Sequence, residues 1–335
     1  MTGGWRDGGV ARPRGLSVHD HALRMPRPWS NRAMPARSSP PAPALPDAAV
    51  SALRCSVCGE PVTLRDRALR CERGHTFDLA RQGYVNLLHA KVPKGTADTT
   101  EMVAARDAFL RGGFYEPLAR TLADTAGRTA EAARTTDTNA DQRRGRLVVD
   151  AGAGTGYYLA HVLDALPDAT GLALDVSAPA LRRAARAHPR LGAAVWNLWW
   201  PWPVATGVAD LIVNVFAPRN VEEFRRVLVP NGVLLVAVPG PDHLRELAES
   251  LGLLDVDADK SERLEDTLSD GFTLVERTRV AGQVVLTPDN VRDVVLMGPN
   301  AHHLHRGGLG DRLAAVTEPM TVTTSFTVAA YARRG

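Results

Sequence analysis

From residue 146 onward the chain alternates short, continuous apolar runs with stretches whose apolar positions recur every three to four residues. LVVD (147–150), GLALD (171–175), AAVWN (193–197), ADLIVNVF (209–216) and GVLLVAV (232–238) read as strands buried on both faces. Thr155–Leu166, residues 178–187, VEEFRRVL (221–228) and residues 241–252 read as the helices between them. This alternation predicts a doubly wound, Rossmann-like α/β domain over residues 146–335, with a parallel sheet covered on both sides. GFTLVERTRV (271–280) and MTVTTSFTVAAY (320–331) are β-rich with partial alternation and predict an antiparallel pair on one edge.

Upstream the pattern changes. Met102, Val103, Phe109, Leu110, Leu118 and Leu122 recur at helical spacing across 100–134, with a break at Gly112-Gly113. With TDTNADQRRGR (135–145) they make residues 92–145 a helical connector and linker. Residues 51–91 predict a small module of short strands, with Phe77, Leu79, Tyr84, Val85, Leu87 and Leu88 packing beneath it. Residues 1–50, rich in Pro, Arg and Ala, show neither period and predict a disordered extension, because they bury too little to offset the entropy of ordering.

Net charge is only +3 but lopsided: residues 1–114 carry 17 Lys/Arg against 10 Asp/Glu, which leaves 23 against 27 for the rest. A basic front suggests that this end meets a polyanion. Arg54, Arg65, Arg67, Arg70, Arg73 and Arg81, with Lys91 and Lys94, are the leading candidates, since guanidinium forks match phosphates bidentately. The apolar fraction is 44% and no run approaches the ~18 residues of a membrane span, so no membrane partner is expected. The first 30 residues lack the apolar centre of a secretion signal, and cytoplasmic residence is expected.

Cys55, Cys58, Cys71 and His75 form a C-x2-C-x12-C-x3-H array that uses every cysteine in the chain. Zinc prefers a tetrahedron of thiolate and imidazole ligands, and two close pairs joined by a loop supply one with little strain. Gly59 and Gly74 stand where each pair must curl around the ion. Four protein ligands leave no position for water, so the array predicts a structural metal.

Asp150-Ala-Gly152-Ala-Gly154-Thr155-Gly156 follows the first strand and opens the first helix, where glycines let a ligand approach the backbone and helix N-terminal amides. The dinucleotide template G-x-G-x-x-G fails, because Tyr157 stands where its third glycine belongs. The acidic-x-G-x-G-x-G pattern instead resembles motif I of S-adenosylmethionine-dependent methyltransferases. That resemblance implies that Asp175, ending the second strand, holds the ribose hydroxyls and that Asn197, ending the third, reads the adenine amine. Aspartate is commoner at the latter place, but an amide oxygen accepts the same hydrogen bond. Asn214 of NVFAP is a candidate for orienting a methyl acceptor, or it simply closes the strand end; being an amide it takes no proton at neutral pH.

CSVCGEPV, LRCERGHTFDLARQGYVNLL, DTTEMVAARDAFLRGGFYEPL, DAGAGTGYYL, LDVSAPALRRAARAHP, NVFAPRN and PGPDHL together resemble the 23S ribosomal RNA guanine-N1 methyltransferases, from about residue 53 to the end. That family holds housekeeping enzymes and macrolide-resistance enzymes, and MGPNAHHL (297–304) is most similar to the tylosin-resistance branch. The resemblance implies zinc on Cys55, Cys58, Cys71 and His75, and donor contacts at Tyr115, Gly154, Thr155 and His243. It implies methylation of a guanine in the hairpin-35 loop by a homodimer whose zinc modules line an RNA cleft. Two other readings stay open: a methyltransferase for a small metabolite or macrolide, and a zinc-dependent RNA-binding factor without catalysis. Of Trp196, Trp199, Trp200 and Trp202, at least two are expected in the core, and His302, His303 and His305 are expected in a polar loop at the site's rim.

Overall fold

The computed structural model describes residues 1, 44–93, 95, 97–136, 145–253, 267–298, 300–301 and 308–334. The expectations for residues 2–43, most of the 135–145 linker, Lys94, and His302, His303 and His305 lie outside them.

Helix α1 (Asp47–Ala52) leads into an antiparallel sheet of β1 (Val62–Arg65), β2 (Ala68–Cys71) and β3 (Thr76–Asp78), followed by β4 (Tyr84–Asn86). Helices α2 (Thr100–Arg111) and α3 (Glu116–Thr136) come next. The Thr99 side chain accepts from the Met102 amide to start α2, and Gly113, at φ +79°, turns the chain before α3, as the Gly-Gly break predicts. Then follow β5 (Leu147–Ala151), α4 (Tyr157–Ala165), β6 (Thr170–Asp175), α5 (Ala178–Ala184) and β7 (Leu191–Val195). The second half contains β8 (Ala209–Val215), α6 (Val221–Val227), β9 (Leu228–Pro239), α7 (Arg245–Leu251), β10 (Phe272–Leu286), α8 (Pro288–Leu296), α9 (Leu309–Ala314) and β11 (Met320–Arg333).

Eight strands share one sheet in the order β10-β11-β9-β8-β5-β6-β7-β4. Neighbours from β9 to β4 run parallel, while β11 is antiparallel to both β9 and β10. Every residue of β5 and β7 is buried, as continuous apolar runs require when both faces are covered. Alternate residues feed two cores. Val148, Ala173, Val213 and Leu235 face one side with Phe109, Leu118 and Leu159; Val149, Leu172, Ile212 and Leu234 face the other with Leu69, Trp196 and Phe224. Each fully buried aliphatic side chain contributes roughly 1.5–3 kcal/mol.

Three expectations need correction. Residues 44–50 are ordered rather than part of a disordered extension: Leu45 and Ala49 are buried, because Gly192 of β7 leaves a hollow that their side chains fill. The third parallel strand is Leu191–Val195, so Asn197 stands two residues beyond its end. Strand β10 runs six residues further than the partial alternation indicates, to Leu286, because β11 pairs along its whole length. Helix α8, begun by a capping box between Thr287 and Asn290, was not legible as a separate period.

The metal-binding module is built into the large domain. Its strand β4 pairs in parallel with β7, Tyr84 opposite Ala193 and Asn86 opposite Val195. Cys55, Val62, Leu69 and Cys71 join the core on one face of the main sheet. Residues 42–335 form a single compact unit.

Candidate functional site

The glycine loop joins β5 to α4 at the carboxyl ends of the parallel strands, where open α/β sheets bind ligands. Gly152, Gly154 and Gly156 adopt φ of +88°, +53° and +77°, which side chains rarely tolerate. Each glycine also meets a different demand. A Cβ on Gly152 would collide with the methyl of Ala217, in the loop after β8. One on Gly156 would lie 3.0 Å from Ala184 of α5. Among the three, Gly154 alone faces a movable neighbour, the Arg106 guanidinium at 3.5 Å, so packing does not explain its bareness.

Asp175 ends β6 as expected and ties the loop together. Its Oδ2 accepts from the Gly154 amide at 2.9 Å and its Oδ1 from the Ser177 amide at 2.8 Å. A carboxylate with one amide on each oxygen keeps lone pairs for two hydroxyls. Burial raises its pKa, and the two amides oppose that shift. Asp150, at the end of β5, is pushed up to about 8 by burial and then by the charge of Asp175. Thr155 is buried beside them. Asn197 is buried too, and its Oδ1 accepts from the Trp199 amide at 3.1 Å, which leaves a second lone pair. Leu198 next to it packs toward Gly152, so the three strand ends converge.

Tyr115 and His243, distant in sequence, come together beside Phe216 and Phe326. Tyr115 Oη lies 2.9 Å from His243 Nε2, and the Ser325 amide donates to His243 Nδ1 at 3.3 Å. An accepting Nδ1 places the imidazole proton on Nε2, which donates to the phenol oxygen. The phenol hydrogen is thereby left to point elsewhere. Burial lowers the histidine pKa to about 4 and raises that of the phenol, so both are neutral.

Asn214 is fully buried within β8, and its Nδ2 donates to Ala151 O and Pro218 O, each at 3.0 Å. Both amide hydrogens thus brace the backbone, while the buried Oδ1 has no partner among the described residues. The neighbour that sequence reasoning passed over is Phe216. It sits in a left-handed conformation at φ +55°, unusual for a bulky residue, with its amide bonded to Ala237 O at 3.1 Å. Arg106 was missed as well: its guanidinium bridges Asp98 and Met297 O, and Ser177 Oγ donates to Asp98 O at 2.9 Å. Both lie in stretches, NVFAPRN and DTTEMVAARDAFL, where apolar periodicity marks a strand end and a helix but nothing in the pattern singles out these two side chains.

The metal array closes as expected. Gly59 and Gly74, at φ +76° and +83°, donate their amides to Cys55 O at 2.8 Å and Cys71 O at 3.0 Å, curling each ligand pair. The four donor atoms lie within 4.8 Å of one another. Cys58 and Cys71 sulfurs are 3.7 Å apart, and His75 Nδ1 is 3.3 Å and 3.5 Å from the sulfurs of Cys71 and Cys55. A zinc tetrahedron with bonds of about 2.3 Å has edges of about 3.7 Å, so this donor set fits zinc. Around it Arg65, Arg67, Arg70, Arg73, Arg81 and Lys91 are exposed. Arg54 is half-buried and donates to Ser51 O and Leu53 O, so it also braces the turn into the module. Arg73 pairs with Glu60 at 3.3 Å. Trp196 and Trp202 are buried while Trp199 is exposed, which matches the expected split.

Residues 53–93 match the zinc-ribbon family model described as "RlmA, N-terminal". A relative from Micromonospora griseorubida, assigned to the 23S rRNA (guanine-N(1)-)-methyltransferases, is 50% identical over 83% of this chain and 96% of its own length. The 23S rRNA (guanine(748)-N(1))-methyltransferase of Streptomyces fradiae is 48% identical over 82% of this chain and 95% of its own. Among solved structures, a phosphoethanolamine N-methyltransferase of Haemonchus contortus is similar with a TM-score of 0.38 at 13% identity, over 71% of this chain and 58% of that one. With a doubly wound sheet, a glycine loop of the methyl-donor type and a closed Cys3His cluster, the chain belongs to the zinc-containing, S-adenosylmethionine-dependent 23S rRNA (guanine-N1)-methyltransferases.

Proposed function

We propose that this protein methylates N1 of a guanine in the hairpin-35 loop of 23S rRNA, as a tylosin-type macrolide-resistance enzyme acting in the cytoplasm. The observation that carries the reading is the single body in which both ends meet: β4 of the basic zinc module is the eighth strand of the sheet that holds the glycine loop. A cationic headpiece so fixed delivers RNA to one place only. The likeness to the Streptomyces fradiae enzyme supports the choice of target. No helix among the described residues is long and apolar enough to cross a membrane.

In this reading Cys55, Cys58, Cys71 and His75 hold a structural zinc ion. S-adenosylmethionine supplies an electrophilic methyl group. Gly152, Gly154, Thr155 and Gly156 leave room for the donor, Asp175 accepts from its ribose hydroxyls, and Asn197 flanks its adenine. Asp150 lies beneath them, and the hydroxyl of Tyr115, oriented by His243, faces the polar end of the donor. Residues 92–145 connect the two parts, and two copies of the chain line the RNA cleft with their zinc modules.

Guanine N1 lies on the Watson–Crick edge, so the target must be unpaired or turned out of the stack. The transfer forms the N1–methyl bond, breaks the methyl–sulfur bond in line so that its electron pair leaves on the thioether S-adenosylhomocysteine, and gives the N1 proton to water. The acceptor loop, Asn214–Pro218, contains no titratable side chain, so its contribution is alignment rather than proton removal. Primer extension on a hairpin-35 transcript treated with protein and donor tests the reading, because an N1-methyl blocks reverse transcriptase. A new stop one nucleotide before a loop guanine is expected; full-length product throughout would refute it.

A further inference from the structure

Asn214 uses its amide hydrogens on the backbone, and the residue two positions on is better placed to meet the acceptor. Phe216 follows the end of β8 directly, and Ala217, its neighbour, packs against Gly152 of the donor loop. Its ring belongs to an aromatic cluster with Tyr115, Tyr158 and Phe326, at centroid distances of 6.5, 6.4 and 5.8 Å. Those three rings are buried, at 3%, 9% and 1% exposure, whereas Phe216 is 43% exposed. A phenylalanine serving only the core would be covered. This one stands partly exposed in a left-handed conformation that its backbone does not favour, fixed by the hydrogen bond its amide donates to Ala237 O.

We propose that Phe216 is the stacking platform for the target base, holding a purine turned out of the RNA with its Watson–Crick edge toward the transferred methyl. This rests on the functional reading above, which names the acceptor but no residue that grips it. A base leaving its stack loses two aromatic neighbours, and an exposed ring beside the donor site replaces one of them. Stacking tolerates any base, so choice of nucleotide comes from elsewhere and Phe216 supplies position.

The test uses the full-length, zinc-loaded protein and a hairpin-35 transcript. Phe216→Leu keeps apolar bulk without a π face, and Phe216→Trp keeps the face. Leucine is expected to lower kcat/KM for RNA by about 5- to 150-fold, the loss of one stacked base. Binding of S-adenosylmethionine by calorimetry and thermal stability should stay within twofold and a few degrees of wild type, and tryptophan should restore most of the activity. With 2-aminopurine at the target position, fluorescence should be quenched on binding wild-type and Phe216→Trp protein but less by Phe216→Leu. Equal activity of the leucine and tryptophan variants would overturn the stacking role, as would a leucine defect that appears equally in donor affinity. A wild-type protein inactive on the transcript would instead overturn the functional reading, and with it the acceptor assigned to this ring.

Discussion

Tyr115 Oη and His243 Nε2 are joined at 2.9 Å across 128 positions of sequence, and the Ser325 amide on Nδ1 fixes which of them donates. The pair ties the start of α3 to the loop before α7. Neither residue bears charge near neutrality, so the arrangement orients a hydroxyl and does not shuttle protons.

Acid should expose this pair first. The folded pKa of His243, about 4, lies below its ordinary 6.5, so the folded state binds fewer protons than the unfolded one between those values. The stability it contributes is present above pH 6.5 and is lost as pH falls toward 4, amounting to up to about 3 kcal/mol. Thermal melting from pH 7 to pH 4 is expected to show a steeper loss for wild type than for His243→Asn. Parallel curves would refute the assignment of the neutral tautomer.

Asp150 should act with the opposite sign. Its folded pKa, about 8, lies above the ordinary 3.8, so its contribution to stability is complete below pH 3.8 and declines as pH rises to about 8. In protein without donor, Asp150→Asn is expected to melt higher than wild type at pH 8, with the gap closing toward pH 5. An asparagine variant less stable at pH 8 would show that the ionised carboxylate is already compensated.

The glycines of the loop should separate into two kinds. Gly154→Val meets only the flexible Arg106 side chain but holds a β-branched residue at φ +53°, so it is expected to fold with zinc bound at about 1–2 kcal/mol lower stability and to bind S-adenosylmethionine at least about tenfold more weakly. Gly152→Ala drives a methyl into Ala217 and is expected to cost about 2–4 kcal/mol in stability. Equilibrium dialysis and melting on both variants check this; wild-type donor affinity in Gly154→Val would remove the loop from the binding site.

Metal loss should reach the whole molecule. Cys58→Ala is expected to lose its zinc by atomic spectroscopy and most of its solubility. Because β4 lies in the main sheet, chelation of wild-type protein is expected to lower one cooperative transition by roughly 10 °C rather than to melt a separate module. Two resolved calorimetric transitions would argue that the ribbon folds alone.

Much of this organisation was readable from residues. The parallel strands announced themselves because both their faces are covered and their apolar runs are unbroken, LVVD (147–150) among them. The zinc ligands were readable because metal geometry constrains spacing tightly. What stayed hidden depends on contacts distant in sequence. Leu45 and Ala49 look like the end of a polar tail until Gly192 opens a hollow for them, and Tyr84–Asn86 look like part of the ribbon until β7 offers its edge. Phe216 reads in sequence only as the end of an apolar strand, since left-handed backbone and exposure are properties of the folded turn.

The contact between Gly152 and Ala217 has an evolutionary corollary. The glycine turn after β5 and the turn after β8 are wedged together, so neither drifts without the other. Under the proposed function, a change of target nucleotide is therefore easier to reach through the grip on the surrounding RNA, at the ribbon, than through this wedge.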